Sequence, residues 1–303
     1  MRTALPRRTV LAVPGSSARF IAKSRTLAAD AIFLDLEDAV APGAKAEARR
    51  LIIDALADPA GWQAPCVTVR VNDWTSPWTA ADLLEVVGRA GDRIDAVVLP
   101  KVTGPDQIRA TDLILAQIEA GAGWVPGSIG IEAQIEDARG LTAVAAIAAA
   151  SDRLRSLVFG PGDFMASLGM GTLSVGSQPD GYPADAFHYP LMAILVAARA
   201  NGLLAVDGPF VGIRDQAGFV ASARKAAALG YDGKWVVHPD QIDAGNETFA
   251  PSEAVLARAR RIMAAYERAS TNAGGVTGAI EVDQEMVDEA GVKLAAALLA
   301  KAV

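Results

Sequence analysis

The sequence predicts a (β/α)8 barrel, or TIM barrel, of parallel strands with a C-terminal helical extension. Short apolar runs alternate with helical patterns eight times between residues 9 and 239. Apolar runs flanked by helices are typical of parallel strands covered on both faces. The composition, 51% hydrophobic but only 6% aromatic, favours closely packed helices against a sheet. A doubly wound open sheet is the alternative, but it usually has only about five to seven strands.

The eight strands are predicted from aliphatic and β-branched runs that end at glycine, proline or a charged residue. They are TVLAVPG (9–15), AIFLDLED (31–38), PCVTVRVND (65–73), AVVLPKV (96–102), IGIEAQIE (129–136), SLVFGPGD (156–163), LLAVDGPF (203–210) and GKWVVHP (233–239). The helices between them are predicted from segments rich in alanine, leucine, arginine and glutamate. These segments are 44–57, 79–90, 105–119, 138–149, 186–200 and 215–228.

The chain is expected to divide into a barrel domain, residues 1–250, and a helical extension, residues 251–303. The eighth strand ends before the extension begins, so the barrel is complete without it. A helix is predicted over 250–270, since Pro251 stands near its start and Ser252 is a candidate N-cap.

A glycine-rich link, TNAGGVTGAI (271–280), precedes the last predicted helix, QEMVDEAGVKLAAALLAKAV (284–303). Gly274 and Gly275 in this link should allow the tail to extend to a neighbouring subunit. The last helix carries apolar side chains that need a covering surface. They include Met286, Val287, Val292 and Leu294. We therefore expect the extension to pack on a neighbouring subunit.

Charge and hydropathy exclude several classes of partner. The net charge is −7 and the chain has no block of Lys or Arg, which argues against nucleic acid. The longest apolar run, LTAVAAIAAA (141–150), is too short to cross a membrane. The N-terminus lacks the pattern of a signal peptide, and the single cysteine, Cys66, fits a reducing compartment. These observations predict a cytoplasmic protein.

The functional site of a barrel lies at the C-terminal ends of its strands. Polar side chains stand at these ends in segments far apart in sequence, so they should converge on one mouth. They include Glu37, Asp38, Arg70, Asn72, Lys101, Glu136, Asp163, Asp207 and His238.

Two of these carboxylates have the ligand type that Mg²⁺ prefers. Glu136 and Asp163 can supply oxygen atoms, with waters and substrate oxygens completing the coordination. Only two histidines and one cysteine are present, which argues against zinc. The alternative is that both carboxylates pair with arginine or cap the following helices. Arg70 likewise has two interpretations: it forks onto a carboxylate substrate, or it neutralises Glu37 or Asp38.

Taken together, these segments resemble the citrate lyase β-subunit/malyl-CoA lyase family of the HpcH/HpaI aldolase superfamily. The matching blocks are VPGSSARF, IFLDLEDAVAPGAKAEAR, VRVN, VVLPKV, IEDARG, FGPGDFMASLGM, AVDGPF, GYDGKWVVHPDQI and MVD. The resemblance covers nearly the whole chain and rests on many ordered blocks, so it is far more specific than any one motif. SLGM, DGPF and GKWVVHP are most similar to the malyl-CoA lyase branch.

The resemblance implies a (β/α)8 enzyme that uses Mg²⁺, or Mn²⁺ in its place. By position, Glu136 and Asp163 resemble the metal ligands, and Arg70 resembles the arginine that contacts substrate oxygens. Asp288 of the MVD block resembles a catalytic acid/base supplied by a neighbouring subunit of a homo-oligomer, a trimer or hexamer. We expect two further carboxylates to hold Arg70 and metal-bound waters. These are Glu37 and Asp38.

The resemblance also implies contacts with coenzyme A as part of the substrate. Arg19 and Lys23 resemble basic residues that hold the CoA phosphates, with Phe20 beside them. Val206 and Asp207 stand where the family contacts the acyl-CoA arm.

The implied reaction is cleavage or formation of a 3-hydroxyacyl-CoA, giving acetyl- or acyl-CoA and a 2-oxo acid. Malyl-, β-methylmalyl-, citramalyl- and citryl-CoA are candidate substrates. Hydrolysis of the same thioester is one alternative, and a citrate lyase β subunit in a carrier-protein complex is another. Ala12, where a tyrosine often precedes VPG, and Asp137, after the glutamate, depart from the family pattern. The loop 171–190 is expected to tune substrate choice.

Overall fold

The computed structural model describes residues 7–272 and 278–302. Its eight predicted strands form one closed barrel in which each strand pairs with the next, and β8 pairs in parallel with β1. The predicted (β/α)8 fold is confirmed. The strands are β1 Thr9–Pro14, β2 Ala31–Asp35, β3 Cys66–Arg70, β4 Ala96–Leu99, β5 Gly130–Ile135, β6 Leu154–Phe159, β7 Leu204–Asp207 and β8 Gly233–Val236.

The chain separates into two compact units, Met1–Asn246 and Glu247–Val303. The helices that begin in the first unit are α1 Ala18–Ser24, α2 Lys45–Ala57, α3 Thr79–Ala81, α4 Gly88–Ala90, α5 Pro105–Ala122, α6 Ala138–Thr142, α7 Val144–Ala148, α8 Pro161–Leu168, α9 His188–Ala200, α10 Gln216–Leu229 and α11 Ile242–Phe249. A π-helical segment, Asp82–Val87, joins α3 to α4, and short 3₁₀ turns span Pro42–Ala44, Gly91–Arg93 and Pro239–Gln241.

An apolar cluster with members from seven of the eight strands fills the barrel interior. Within it, the ring centroids of Phe33 and Trp235 lie 4.3 Å apart. The cluster comprises Val10, Ala31, Phe33, Cys66, Val98, Val158, Val206 and Trp235. Strand β5 contributes no member.

The inward face of β5 is polar instead of apolar. Glu132, Gln134 and Glu136 alternate along the chain, so they share one face of the strand, and all three are buried. Near the N-terminal end of the barrel, Glu132 Oε1 accepts hydrogen bonds from Arg7 at 3.1 and 3.3 Å. Gln134 Oε1 lies 3.4 Å from the Arg70 guanidinium. Strand β5 therefore carries polar groups from the base of the barrel to its mouth.

A second buried ion pair secures the loop between α5 and β5. The fully buried Glu119 carboxylate accepts from Arg153 at 2.7 and 2.8 Å and from the backbone N–H groups of Gly127 and Ile129. Burial opposes ionisation, but these four hydrogen bonds outweigh it and lower the pKa of Glu119 to about 2. The carboxylate is therefore ionised in the folded protein.

The sixth predicted strand is shorter in the structure than in the sequence prediction. Strand β6 ends at Phe159, and residues from Pro161 onward form α8. Proline is well suited to the first turn of a helix, because its missing N–H has no partner there in any case. The prediction that Asp163 ends a strand was therefore wrong, since it lies in the first turn of α8.

The second unit contains α12 Glu253–Asn272, β9 Ala279–Val282, β10 Glu285–Asp288 and α13 Glu289–Ala300. The predicted cap of its first helix is confirmed, because the N–H of Val255 donates to Ser252 Oγ at 3.3 Å. The glycine-rich link is described only in part, and Gly274 and Gly275 lie outside the described residues. Among those that are described, no helix is both long and apolar enough to span a membrane.

The predicted helix over 284–303 was wrong in its first turn. Strands β9 and β10 pair antiparallel as a hairpin, and the helix starts only at Glu289. The two turn residues, Asp283 and Gln284, adopt φ values of 53° and 65°. Positive φ at both central residues matches the twist of a two-residue hairpin. Val282 and Val287 thereby face the same side and pack in a cluster with residues of α12 and α13.

Candidate functional site

The C-terminal ends of five neighbouring barrel units bring a dense set of charged groups together. Arg70 ends β3, and Lys101 and Glu136 follow β4 and β5. Glu37 follows β2, and Asp163 lies in the first turn of α8, which follows β6. Contacts through Lys101 and Arg70 connect these residues.

Arg70 is fixed by two buried carboxylates at the centre of this set. Its Nε and Nη2 atoms each donate to Asp35 at 2.7 Å, and Nη1 lies 3.1 Å from Glu37 Oε2. The guanidinium also lies over the rings of Phe33 and Trp235, at 5.4 and 5.5 Å from their centroids. Burial acts against the charge, but Asp35 and Glu37 raise the pKa of Arg70 above its usual value. The side chain is therefore a rigid, permanent cation.

Asp35 is the most important residue that the sequence analysis missed. Its carboxylate is 2% exposed and also accepts from the backbone N–H groups of Glu37 and Ala39, at 2.9 and 3.1 Å. It therefore positions Arg70 and shapes the turn that carries Glu37 and Asp38. The only signal in the sequence was a carboxylate within an otherwise apolar strand.

Glu136 is buried and held by two donors. Oε1 accepts from the backbone N–H of Lys101 at 2.7 Å, and Oε2 accepts from Gln134 Nε2. A Cβ atom at Gly160 would overlap the Glu136 side chain, so the glycine makes room for it. Burial raises the pKa of Glu136 to about 8; the charge of Asp163 adds to this shift, and Arg70 opposes it.

Lys101 was recognised as a strand end but was not predicted as a site residue. Its ammonium contacts Glu37 Oε1 directly and lies 3.2 Å from Asp38 and 3.7 Å from Asp163. Its backbone φ is +51°, a value that residues with a Cβ atom rarely adopt. That backbone conformation cannot be read from residue type, because lysine gives no signal for it.

Glu37 and Asp38 differ in burial although they are adjacent. Glu37 is buried, and burial raises its pKa to about 7 in spite of the opposing charges of Arg70 and Lys101. The Asp38 side chain is 58% exposed. Both lie beside Arg70, at 3.1 and 3.9 Å from its Nη1 atom. This agrees with the interpretation that Arg70 neutralises them, although Asp35 is its principal partner.

The donor set of Glu136 and Asp163 fits a hard divalent cation. Both supply carboxylate oxygen, and the half-exposed Asp163 leaves room for waters and substrate oxygens. Within residues 7–272 and 278–302, no group of three His, Cys, Asp or Glu is placed to enclose a metal. Two carboxylates without histidine or cysteine suit Mg²⁺ and do not suit zinc.

The predicted CoA contacts after β1 lie together in α1. Arg19, Phe20 and Lys23 are all exposed, and the Arg19 guanidinium lies 4.8 Å from the Phe20 ring centroid. Ser17 caps the helix by accepting from the Phe20 N–H. The preceding Gly15 donates to the Asp35 carbonyl oxygen at 2.9 Å, so α1 begins beside the end of β2.

The two residues predicted from β7 are separate from this group. Val206 is 1% exposed and belongs to the interior cluster. Asp207 is adjacent in the strand, so it points to the opposite face, toward the helices. There it is buried in an ion pair with Lys234. The structure therefore does not bring these side chains to the charged set around Arg70.

Asp288 belongs to the second unit, where it ends β10 and caps α13. Its side chain is exposed and accepts from the backbone N–H groups of Ala290 and Gly291, at 2.9 and 3.1 Å. An aspartate in this position satisfies two donors of the first helical turn. This contact is local and independent of any role at another site.

Comparison with known proteins gives a consistent family assignment. The family model for "HpcH/HpaI aldolase/citrate lyase" matches residues 8–239, which include the whole barrel. The chain is 38% identical to an L-malyl-CoA/beta-methylmalyl-CoA lyase of Cereibacter sphaeroides, over 99% of this chain and 95% of the relative. It is 39% identical to a (3S)-malyl-CoA thioesterase of the same species, over 98% and 95% of the two chains.

Solved structures show the same similarity. The CitE protein of Mycobacterium tuberculosis, in complex with magnesium, acetoacetate and coenzyme A, is 32% identical with a TM-score of 0.75, covering 100% of this chain and 99% of that one. A citrate lyase from Burkholderia xenovorans LB400, 21% identical over 96% and 90% of the two chains, has a TM-score of 0.80 and supports the fold alone. From the family model and the full-length relatives, this chain belongs to the HpcH/HpaI aldolase/citrate lyase family.

Proposed function

We propose that this chain is a Mg²⁺-dependent carbon–carbon lyase of 3-hydroxyacyl-CoA thioesters, of which malyl-CoA is the type. It cleaves or forms the bond between an acetyl- or acyl-CoA and a 2-oxo acid. The observation that carries the proposal is the rigid Arg70 cation beside the buried Glu136 at the barrel mouth, with Gln134 in contact with both. The malyl-CoA lyase at 38% identity supports the same substrate class.

Glu136 and Asp163 are the residues that would hold Mg²⁺, or Mn²⁺ in its place. When bound, the ion would act as a Lewis acid that polarises the oxygens of the 2-oxo acid. Glu37 and Asp38 contact Lys101 and Arg70 and would orient metal-bound waters. The buried donors to Glu136 keep its carboxylate in one orientation, so little reorganisation is needed during the reaction.

Arg70 would stabilise negative charge on the substrate. Its Nε and Nη2 atoms are used by Asp35, which leaves Nη1 directed toward Glu37 and Gln134 at the mouth. A charge at this position suits the oxygen of an acetyl thioester enolate or the substrate carboxylate. Because Asp35 fixes the guanidinium, the stabilising charge is preorganised.

We further propose that Asp288 is an acid/base that a neighbouring subunit supplies to this site. It would remove or return the proton at the acetyl carbon. Residues 251–303 of each subunit would then pack on a neighbouring subunit, in a trimer or hexamer. Met286 and Leu294 are 77% and 68% exposed, apolar surface that such packing would cover.

Coenzyme A would be held by the exposed side chains of α1. Arg19 and Lys23 can pair with its phosphates, and Phe20 offers an apolar surface beside them. Contacts of the acyl-CoA arm with Val206 and Asp207 would use backbone atoms, since both side chains are buried. The loop 171–190, which Asp185 anchors to Lys225 at 3.0 Å, would tune substrate choice. We assign the enzyme to the cytoplasm.

A panel of malyl-, β-methylmalyl-, citramalyl- and citryl-CoA with Mg²⁺ tests the proposal. Free CoA, acyl-CoA and 2-oxo acid are measured separately. We expect acetyl-CoA and glyoxylate from malyl-CoA in equal amounts, and no turnover by Glu136→Ala or Asp163→Ala with the fold retained. Wild-type rates in either variant would contradict the metal assignment.

Hydrolysis is the second candidate, because a (3S)-malyl-CoA thioesterase is 39% identical over nearly the whole chain. In that case water would enter the same site and the products would be malate and free CoA. A third candidate is the β subunit of a citrate lyase complex, in which an acyl-carrier protein presents the substrate. Turnover of the free CoA ester without any carrier partner would exclude the third candidate.

The shared site has its own test. Glu136→Gln and Asp288→Asn are purified separately, mixed and allowed to exchange subunits. Activity should return in part, because some sites then contain both wild-type residues. Fully exchanged mixtures as inactive as their parents, or an active monomer, would rule out a shared site.

A further inference from the structure

Lys101 contacts both predicted metal ligands, through two different groups. Its backbone N–H donates to Glu136 Oε1 at 2.7 Å, and its ammonium lies 3.7 Å from Asp163 Oδ2. The first contact orients a ligand, whereas the second places a full positive charge beside the other ligand. The two contacts therefore act on a bound cation in opposite directions.

The backbone at Lys101 indicates that its side chain has a task. A φ of +51° is unstrained for glycine but costs energy for a residue with a Cβ atom. The hydrogen bond to Glu136 requires only the backbone, so glycine could provide it without strain. A lysine at this position is explained by what its ammonium contacts.

Arg70 and Lys101 differ in exposure and in how they are held. Arg70 is 8% exposed and fixed by the paired bonds to Asp35. The Lys101 side chain is 34% exposed and reaches Glu37, Asp38 and Asp163 from one position. An ammonium on a flexible stem can shift among such partners. Lys101 is thus the more exposed of these two cations, and it alone contacts Asp163.

We propose that Lys101 sets the divalent-cation affinity of the mouth, by orienting Glu136 through its backbone and competing for the charge of Asp163 through its ammonium. This inference rests on the proposed function, in which Glu136 and Asp163 hold Mg²⁺. Loss of the ammonium should therefore tighten Mg²⁺ binding, whereas a purely structural lysine would weaken it when removed. A neighbouring unit charge screened as in water changes the affinity for a divalent ion about tenfold.

Isothermal titration of the purified full chain with MgCl₂ tests this directly, without any substrate. Lys101→Met and Lys101→Gly should each lower the Mg²⁺ dissociation constant about tenfold. Lys101→Arg keeps the charge and should bind as the wild type does. Lys293→Met, which removes an exposed charge in the second unit, is the matched control and should change nothing.

The outcomes separate this inference from the proposed function. Glu136→Ala is titrated in parallel, and wild-type Mg²⁺ affinity in that variant would refute the metal assignment itself. Loss of binding in Glu136→Ala together with unchanged or weaker binding in both neutral Lys101 variants would refute only the role of Lys101. Glycine adopts the positive φ of this position without strain, so Lys101→Gly provides the test if Lys101→Met does not fold. Failure of both variants to fold would also overturn the inference, because it would make Lys101 a structural residue.

Discussion

Replacing Asp35 by alanine should destabilise the barrel, although Asp35 is not predicted to contact the metal ion or the substrate. The carboxylate accepts two hydrogen bonds from Arg70 at 2.7 Å and two from the backbone N–H groups of Glu37 and Ala39. Removing one partner of a buried ion pair typically costs about 3–5 kcal/mol, because the other charge is left uncompensated. The Asp35→Ala variant should lose that much in free energy of unfolding, and catalytic activity with it.

A double-mutant cycle with Arg70→Met separates the ion pair from the local hydrogen bonds. Arg70→Met alone should also cost about 3–5 kcal/mol, since it leaves Asp35 buried without its cation. The double variant should lose about as much as either single variant, which gives a coupling energy of about 3–5 kcal/mol. The exposed pair Glu47 and Arg50 is the matched control. Its coupling energy should stay below about 1 kcal/mol.

Equilibrium urea unfolding at pH 7, followed by circular dichroism, supplies the free energies for both cycles. The slopes must agree among variants for the comparison to hold. If the effects of Asp35→Ala and Arg70→Met add to within about 0.5 kcal/mol, the two side chains are not coupled. Arg70 would then be held by other contacts, and the preorganisation that we attribute to Asp35 would be refuted.

Three further predictions follow from single contacts. Because the pKa of Glu119 is lowered to about 2, its ionised carboxylate stabilises the fold. This stabilisation is fully present above about pH 4.5 and is lost as pH falls toward about 2. Urea unfolding at pH 6 and 2.5 should therefore show up to about 3 kcal/mol more acid destabilisation in the wild type than in Glu119→Gln. Gly160→Ala should lower kcat, because the new Cβ would displace Glu136. In the control, Gly162→Ala, the new Cβ has its nearest neighbour at 3.5 Å, so kcat should not change. Equal kcat values in the two variants would refute the packing argument. Asp288→Asn should keep the cap and the wild-type melting temperature but lose about 10²–10⁴ in rate, and wild-type turnover would exclude it as the acid/base.

The barrel could be predicted from sequence because its signal is repeated. Each strand is a short apolar run, and eight such runs separated by helical segments leave few alternative folds. The inward polar face of β5 did not obscure this pattern, since its outward residues, Ile131, Ala133 and Ile135, are apolar. The hairpin in the second unit was missed because its turn residues, Asp283 and Gln284, include no glycine or asparagine.

Site residues could be predicted from the sequence only where a charged residue marks the end of a strand. Arg70 and Glu136 were identified because each is a charged residue at the point where an apolar run stops. Asp35 also ends its strand, but its role was not predicted, because its pairing with Arg70 depends on the register of β2 with β3. The backbone geometry of Lys101 depends on tertiary contacts that residue type does not report. The early start of α8 before Asp163 was missed although Pro161 is a residue type suited to a first helical turn.

The ion pair between Arg7 and Glu132 has a consequence for how the barrel assembles. Arg7 precedes β1, and Glu132 lies in β5, 125 positions further along the chain. A fragment that ends after β4 would contain Arg7 but not Glu132, and the complementary fragment would bury Glu132 without Arg7. Burying Glu132 without this cation is costly, so stable half-barrel intermediates are penalised. Closure should therefore be cooperative, with the first and fifth strands committed in the same step and a slow rate set by that long-range contact.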